Sequence, residues 1–144
     1  MNLLNSDDFW QFACRLYNEG DMQARLLDYQ NLQGKNVNLC LLMHYLDSLG
    51  LQINNKQLDI LIDSISEFDK NIMQPLRAAR AYLKTNQASI SNYASIREEL
   101  LSAELKLEKQ QQQILIEAVN KLELEEQIDA NNINVYLGLK VLGS

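Results

Sequence analysis

Three basic side chains follow the single proline of this 144-residue chain at helical spacing: Arg77, Arg80 and Lys84. Intervals of three and four residues place side chains on one face of an α-helix, so these cations would form a basic stripe. The chain as a whole is acidic, with a formal net charge of −6. The stripe could bind an anion or an acidic partner, or it could pair with the protein's own carboxylates. Three carboxylates are candidates for that pairing: Glu98, Glu99 and Glu104.

Two amide side chains, Gln30 and Asn38, could line a polar pocket. The alternative is a buried structural network that fixes the contact between the second and third predicted helices. Asn38 falls in the first turn of a nearly all-apolar helix, where an unpaired buried amide would cost about 1–3 kcal/mol. We therefore expect the Asn38 amide to be hydrogen-bonded within the protein, with Gln30 or the loop at Gly20 as its partner.

Other chemistry-bearing patterns are weak. His44 is the only histidine, and although Asp47 follows one turn later, no second histidine completes a metal site. We therefore expect a partly buried histidine with satisfied nitrogens and no metal. Without another histidine there is no catalytic triad, and the glycines form no phosphate-binding loop. Adjacent carboxylates, such as Glu98 and Glu99, point about 100° apart on a helix and indicate solvated faces. The sequence favours a non-enzymatic protein without a cofactor.

Composition favours a single helical domain. Apolar residues make up 47% of the chain, while glycine (5) and proline (1) are scarce. The acidic charge disfavours binding to nucleic acid and to anionic membrane surfaces. No apolar run reaches the roughly 18–20 residues that span a bilayer, and the first residues lack the pattern of a secretory signal. Cys14 and Cys40 form no disulfide framework, so we expect a reduced, cytoplasmic setting.

Hydrophobic periodicity predicts an all-α bundle of five or six helices with a long C-terminal helix. The first helix should begin with Ser6 as its N-cap, the second with Asp21 and the third with Asn36. The bundle core should cover about residues 6–84, and the long helix and tail about residues 92–144, within one domain of residues 1–144.

The fourth predicted helix begins at Asn54 or Asn55, and its apolar rhythm continues through Pro75. Proline within a helix removes a hydrogen bond and clashes with the preceding turn. We therefore expect a kink or a break near residues 71–74, with Pro75 restarting the helix.

The long helix should run from about residue 92 to residue 127, roughly 50 Å at ~1.5 Å per residue. Residues 109–113 contain no apolar side chain, so we expect this stretch not to be held by a hydrophobic core. The apolar stripe then resumes, and exposed stripes usually mark contacts. The expected partner contacts are Leu115, Val119 and Leu122. A second copy, another protein, or the chain's own bundle with the folded-back tail could cover them.

The tail, residues 132–142, alternates like a strand but also forms helical faces. A single strand would have no partner in a helical chain, so we favour a helix with Asn132 as its N-cap.

A resemblance supports the all-helical interpretation. The stretch FWQFACRLYNEGDMQARLLDYQNLQGKNVNLCLLMHYL resembles the opening of a small bacterial family catalogued only as domain of unknown function twenty-three ninety. The resemblance extends over about residues 9–107. The matching positions are Trp10, Phe12, Leu16, Tyr17, Gln30, Gly34, Val37, Asn38, Leu39, Pro75, Leu76, Arg77, Arg80, Leu83 and Lys84. Asn36 replaces an aspartate of the family pattern, and Tyr45 and Phe68 replace tryptophans. The resemblance implies no particular activity.

Two functions from different classes follow. The leading interpretation is a non-enzymatic protein-interaction or adaptor module that binds a protein partner, or itself, through the long acidic helix. The alternative is an enzyme or a binder of small ligands or anions, with a pocket near Gln30, Asn38, Arg77 and Arg80. Convergence of these four residues, beside aromatic walls, would favour the alternative, whereas scattered positions would favour the adaptor. The aromatic candidates are Trp10, Tyr17 and Tyr45.

Overall fold

Helices dominate the computed structural model, which describes residues 3–142 and the side chains of residues 3–138. The chain is 76% helical. The helices are α1 Ser6–Tyr17, α2 Met22–Gln33, α3 Val37–Ser48, α4 Asn55–Phe68, α5 Gln74–Thr85, α6 Tyr93–Val119 and α7 Asn132–Leu142. A π-helical turn, Asp69–Met73, joins α4 to α5 without a gap, and a 3-10 turn, Gln87–Ser89, precedes α6. The all-α prediction is confirmed, with a long helix towards the C-terminus.

The helix starts agree with the capping chemistry. Asn36 caps α3 by accepting a hydrogen bond from the backbone N–H of Leu39 at 3.0 Å. Asn54 caps α4 in a reciprocal capping box with Gln57. The predicted cap of α1 is wrong by one residue, because Asn5 rather than Ser6 accepts from the first free N–H groups.

The interruption expected at Pro75 takes the form of the π-helical turn. Pro75 lies in the first turn of α5, directly after the π-helical turn. Proline cannot donate the backbone hydrogen bond of a continuous helix, and the wider turn just before it lets the helical backbone continue from α4 to α5 without a gap. The same turn places Asp69 against α3 and α6, which matters for the site described below.

The core is built around α3, which packs against α1, α2, α6 and α7. Its buried apolar residues cover almost the whole circumference, as the sequence predicted for a central helix. They are Leu39, Cys40, Leu41, Leu42, Met43, Tyr45 and Leu46. Around them, α4 packs on α6, and α5 packs on α6 without burying a residue of its own.

The expected contact surface on α6 belongs to this core. Leu115 and Val119 are fully buried, and Leu122 packs against the same cluster. Of the three coverings expected for this stripe, the structure shows the third, the chain's own bundle with the folded-back tail, so Leu115 and Val119 are not available as partner contacts. Within residues 109–113, Gln111 and Gln112 are only 0% and 2% exposed, so this stretch is buried although it has no apolar side chain.

The chain folds back after α6, which ends at Val119 and not near residue 127. Two short strands, β1 Leu51–Gln52 and β2 Glu125–Glu126, pair antiparallel, and α7 then packs on α3. The tail is helical as favoured, but Asn132 is not its N-cap. The Asp47 carboxylate on α3 accepts from the backbone N–H groups of Asn132 (2.6 Å) and Ile133 (3.2 Å). The Asn132 side chain instead binds the backbone of Leu51 and Ile53.

No helix in the described part of the chain is both long enough and apolar enough to cross a membrane.

Replacing Leu115 with alanine tests whether this stripe is core. Leu115 is fully buried, so Leu115→Ala should lower the free energy of unfolding by roughly 2–5 kcal/mol. The matched change on the same helix, Leu105→Ala, removes a side chain that is 51% exposed and should alter it by about 0.5 kcal/mol or less. Urea denaturation followed by circular dichroism measures both. Wild-type stability of Leu115→Ala, together with dissociation of a dimer, would restore the docking assignment.

Candidate functional site

A cleft of about 350 Å³ opens between α1, α2, α3, α5 and α6. This volume lies in the range of small-molecule sites. The apolar and aromatic lining consists of Trp10, Ala13, Tyr17, Leu27, Val37, Leu41 and Leu105. The polar and sulfur-bearing lining consists of Cys14, Asn18, Gln30, Asn38, Arg77, Arg80, Glu108 and Gln112. An apolar wall with several convergent polar groups is the usual composition of a ligand site.

The structure brings together four of the five binding residues proposed from sequence. Gln30 from α2, Asn38 from α3, and Arg77 and Arg80 from α5 all line the cleft. Lys84 does not, because it lies two helical turns beyond Arg77 and its side chain is exposed. The sequence correctly predicted a shared helical face, but that face is longer than the cleft.

Two of the three aromatic candidates wall the cleft. Trp10 and Tyr17 from α1 contribute to its lining, and the Lys109 ammonium lies 4.8 Å from the centre of the Trp10 ring. Tyr45 does not contribute, because its ring packs in the core against Phe9 and Phe12 at centroid distances of 5.3 and 5.1 Å.

The two arginines differ in how strongly the protein itself engages them. Arg80 Nε donates to Glu104 Oε2 at 2.7 Å, and Glu104 is only 6% exposed, so the expected internal pairing holds for this residue. Within residues 3–138, the Nη nitrogens of Arg80 have no hydrogen-bond partner. Arg77 Nη1 lies 3.9 Å from Asp69 Oδ1, which is too long for a hydrogen bond. Both guanidinium groups therefore have N–H groups that can donate hydrogen bonds to a ligand.

Four amide side chains form a buried hydrogen-bonded series, here called the amide chain: Asn36, Gln111, Asn38 and Gln112. Asn36 Nδ2 donates to Gln111 Oε1 (3.3 Å), Asn38 Nδ2 donates to the same oxygen (2.8 Å), and Gln112 Nε2 donates to Asn38 Oδ1 (3.0 Å). Asp69 Oδ1 accepts from Asn36 (3.1 Å) and Gln111 (3.4 Å). The amide chain joins α3, α6 and the π-helical turn.

The expectation that the Asn38 amide is hydrogen-bonded inside the protein is confirmed, but its partners are Gln111 and Gln112 on α6 rather than Gln30 or the loop at Gly20. Neither glutamine, nor Glu108, was among the predicted site residues, because the polar run around them was expected not to be held by a hydrophobic core. The positions of Gln111 and Gln112 in the helical repeat could have predicted that they are buried. Gln111 and Gln112 lie four and three residues before the buried Leu115, on the same face.

One end of the amide chain lies at the cleft, because Gln112 contributes to the lining. Gln112 is 2% exposed, and its Oε1 atom has no hydrogen-bond partner among the described residues. A buried acceptor without a partner costs about 1–3 kcal/mol, so such an atom in a native protein calls for an explanation.

His44 departs from the expected satisfied histidine. It is half-buried, its burial lowers its pKa, and its Nε2 atom has no partner within residues 3–138. It does not line the cleft. Asp47, its proposed companion, uses both carboxylate oxygens to cap α7.

Glu108 lies one turn before Gln112 and lines the same cleft. Burial raises the pKa of its carboxyl above the ordinary value of 4.5, and the Glu104 charge acts in the same direction. The charges of Arg77 and Arg80 oppose the shift.

These features define a small all-α protein with a cleft between five helices. The family described as Protein of unknown function (DUF2390) matches residues 8–115. The chain belongs to this family, as the resemblance indicated. The matched residues include every side chain that lines the cleft, and end before β2 and α7. No curated protein and no solved structure matches the chain.

Removing the Asn38 amide should break the amide chain in its middle. Asn38→Ala leaves Gln112 without a partner and removes one of the hydrogen bonds of Gln111, so the free energy of unfolding should fall by roughly 1–3 kcal/mol. Asn31→Ala, at an exposed position of α2, is the matched control and should change it by about 0.5 kcal/mol or less. Urea denaturation measures both. Equal stability of the two variants would mean that the amide chain does not hold the fold together.

Neutralising Glu108 should change how stability depends on pH. A raised pKa means that the folded chain binds this proton more tightly than the unfolded chain does, so the stabilisation is lost as pH rises through the folded-state pKa. Glu108→Gln has no carboxyl group to titrate at this position, so it does not lose this stabilisation as pH rises. The unfolding free energy of Glu108→Gln minus that of wild type should therefore increase from about pH 4.5 to about pH 7. Exposed Glu117→Gln on the same helix is the control. A flat or opposite trend for Glu108→Gln would contradict the assignment.

Proposed function

We propose that this protein binds a small organic anion in the cleft between α1, α2, α3, α5 and α6. One observation carries the proposal. Gln30, Asn38, Arg77 and Arg80, which lie on three different helices, line one cleft with Trp10 and Tyr17. This is the arrangement that the alternative sequence interpretation required.

The apolar wall supports a ligand with a flat or branched hydrocarbon body. Trp10 and Tyr17 supply aromatic faces, and aliphatic side chains from three other helices complete the wall. Large rigid aromatic side chains bury much ligand surface at a low cost in conformational entropy. Those aliphatic residues are Leu27, Val37, Leu41 and Leu105.

The arginines support an anionic group on that ligand. A guanidinium recognises a carboxylate or phosphate through two parallel hydrogen bonds, and partial burial strengthens each of them. The side chains of Arg77 and Arg80 are 22% and 38% exposed, so both are shielded while remaining accessible. Lys109 at the Trp10 ring adds positive charge beside the aromatic wall.

The adaptor interpretation has less support. It depended on Leu115, Val119 and Leu122 as a contact surface, and these residues pack in the protein's own core. As part of the proposal we place the protein in the cytoplasm, where the free thiols of Cys14 and Cys40 would remain reduced.

Trp10 provides a direct test, because it is the only tryptophan in the chain. Its indole N–H gives one resolved signal in a ¹⁵N spectrum, which can be followed while small aromatic and branched aliphatic carboxylates, phosphates and their uncharged amides are added. At least one anion should shift this signal to saturation, and its amide should not. Arg77→Gln should weaken that binding at least about tenfold, because it removes a charge-assisted hydrogen bond.

Arg97→Gln, at an exposed site on α6 outside the cleft, should leave the affinity unchanged. The proposal fails if no anion moves the Trp10 signal, or if Arg77→Gln and Arg97→Gln bind as well as each other.

A further inference from the structure

We infer that the ligand carries a hydrogen-bond donor, an N–H or O–H group, in addition to its anionic group, and that Gln112 Oε1 is the atom that receives it. This inference rests on the proposed function and names the class of ligand. It follows from a buried acceptor that has no partner among the described residues and belongs to a side chain that lines the cleft.

The orientation of the Gln112 amide is fixed from the far end of the amide chain. The backbone N–H of Leu39 can only donate, and it donates to Asn36 Oδ1. The Asn36 NH₂ group must therefore face Gln111 and Asp69, and the Asp69 carboxylate can only accept. Gln111 consequently turns its NH₂ group to Asp69 and its oxygen to Asn38.

The remaining two amides follow in order. Asn38 donates to the Gln111 oxygen, so its own oxygen faces Gln112. Gln112 donates to that oxygen, and its own carbonyl oxygen is left unpaired on a side chain that lines the cleft. Rotating the Gln112 amide by 180° would set two carbonyl oxygens against each other, and correcting that contact would reverse every amide back to Asp69. The cleft therefore presents an acceptor and not a donor.

The ligand class follows from the two kinds of group that line the cleft. Arg77 and Arg80 on α5 recognise an anion, Gln112 on α6 recognises a donor, and the aromatic wall covers the body between them. A small aromatic carboxylate with a ring N–H or a hydroxyl group has all three features. A site with a buried acceptor discriminates strongly against an analogue that lacks the donor, because the acceptor then stays unpaired.

Matched probe pairs test the donor directly. Indole-3-acetate and benzofuran-3-acetate have the same shape and charge, and differ in a ring N–H against a ring oxygen; 4-hydroxyphenylacetate and 4-fluorophenylacetate form a second pair. Each is titrated into ¹⁵N-labelled wild-type protein while the Trp10 indole signal and the Gln112 side-chain NH₂ signal are followed. The donor-bearing member should bind about 5- to 150-fold more tightly, which is the affinity equivalent of one unpaired buried acceptor.

The outcomes separate this inference from the proposed function. Equal affinity within both pairs, or tighter binding of the members without a donor, overturns the inference and leaves anion binding in place. If no member of either pair shifts the Trp10 signal at millimolar concentration, the inference is overturned for aromatic carboxylates. The broader panel of anions then decides the proposed function on its own.

Two variants assign the effect to Gln112. Gln112→Met keeps the length of the side chain but removes the carbonyl, so the affinity ratio within each pair should fall to about one. Gln113→Met, at the exposed neighbouring position, should keep the wild-type ratio. Circular dichroism establishes that both variants are folded. The wild-type comparison of the probes remains decisive if Gln112→Met does not fold. A folded Gln112→Met that retains the full ratio overturns the assignment to Gln112.

Discussion

The structure depends on how a polar segment is buried against its most apolar helix. α6 enters the bundle at Gln111 and Gln112, and α3 is apolar around most of its circumference. The contact is possible because Asn36 and Asn38, at the start of α3, supply partners for both glutamines and Asp69 anchors the series. A buried amide without a hydrogen-bond partner would destabilise this contact between α3 and α6. The π-helical turn is therefore part of the same requirement, because it brings Asp69 to the contact as a hydrogen-bond acceptor.

The amide chain unites two interpretations that the sequence left as alternatives. Asn38 could have belonged to a structural network or to a binding pocket. Its side chain is part of the network and also lines the cleft, because the network runs from Asp69 on the π-helical turn to Gln112 at the cleft. The fold thereby fixes the polarity of one wall of the cleft. Arg77 lies close to Asp69, the carboxylate that anchors the amide chain, whereas Arg80 is held separately by Glu104.

Much of the fold could be predicted because it is local. The caps at Asn36 and Asn54, the apolar circumference of α3 and the disturbance before Pro75 each follow from a few neighbouring residues. The burial of Gln111 and Gln112 could not be predicted in this way, because their partners lie 73 and 74 residues away. The same limit explains why the covering of the Leu115 stripe stayed open among three alternatives, since the elements that cover it lie elsewhere in the sequence. Four of the five proposed site residues line the cleft because helical spacing reports a shared face, while the extent of the cleft along α5 depends on α1 and α6.

Four consecutive glutamines, Gln110 to Gln113, allow the central claim to be measured with internal controls. Gln111 and Gln112 are buried in the amide chain, whereas Gln110 and Gln113 are exposed on the same turn of α6. Hydrogen exchange of their side-chain NH₂ groups, read from assigned ¹⁵N spectra, compares identical chemical groups in one protein. The amide chain predicts that the NH₂ protons of Gln111 and Gln112 exchange much more slowly than those of Gln110 and Gln113. Equal exchange at all four positions would contradict it.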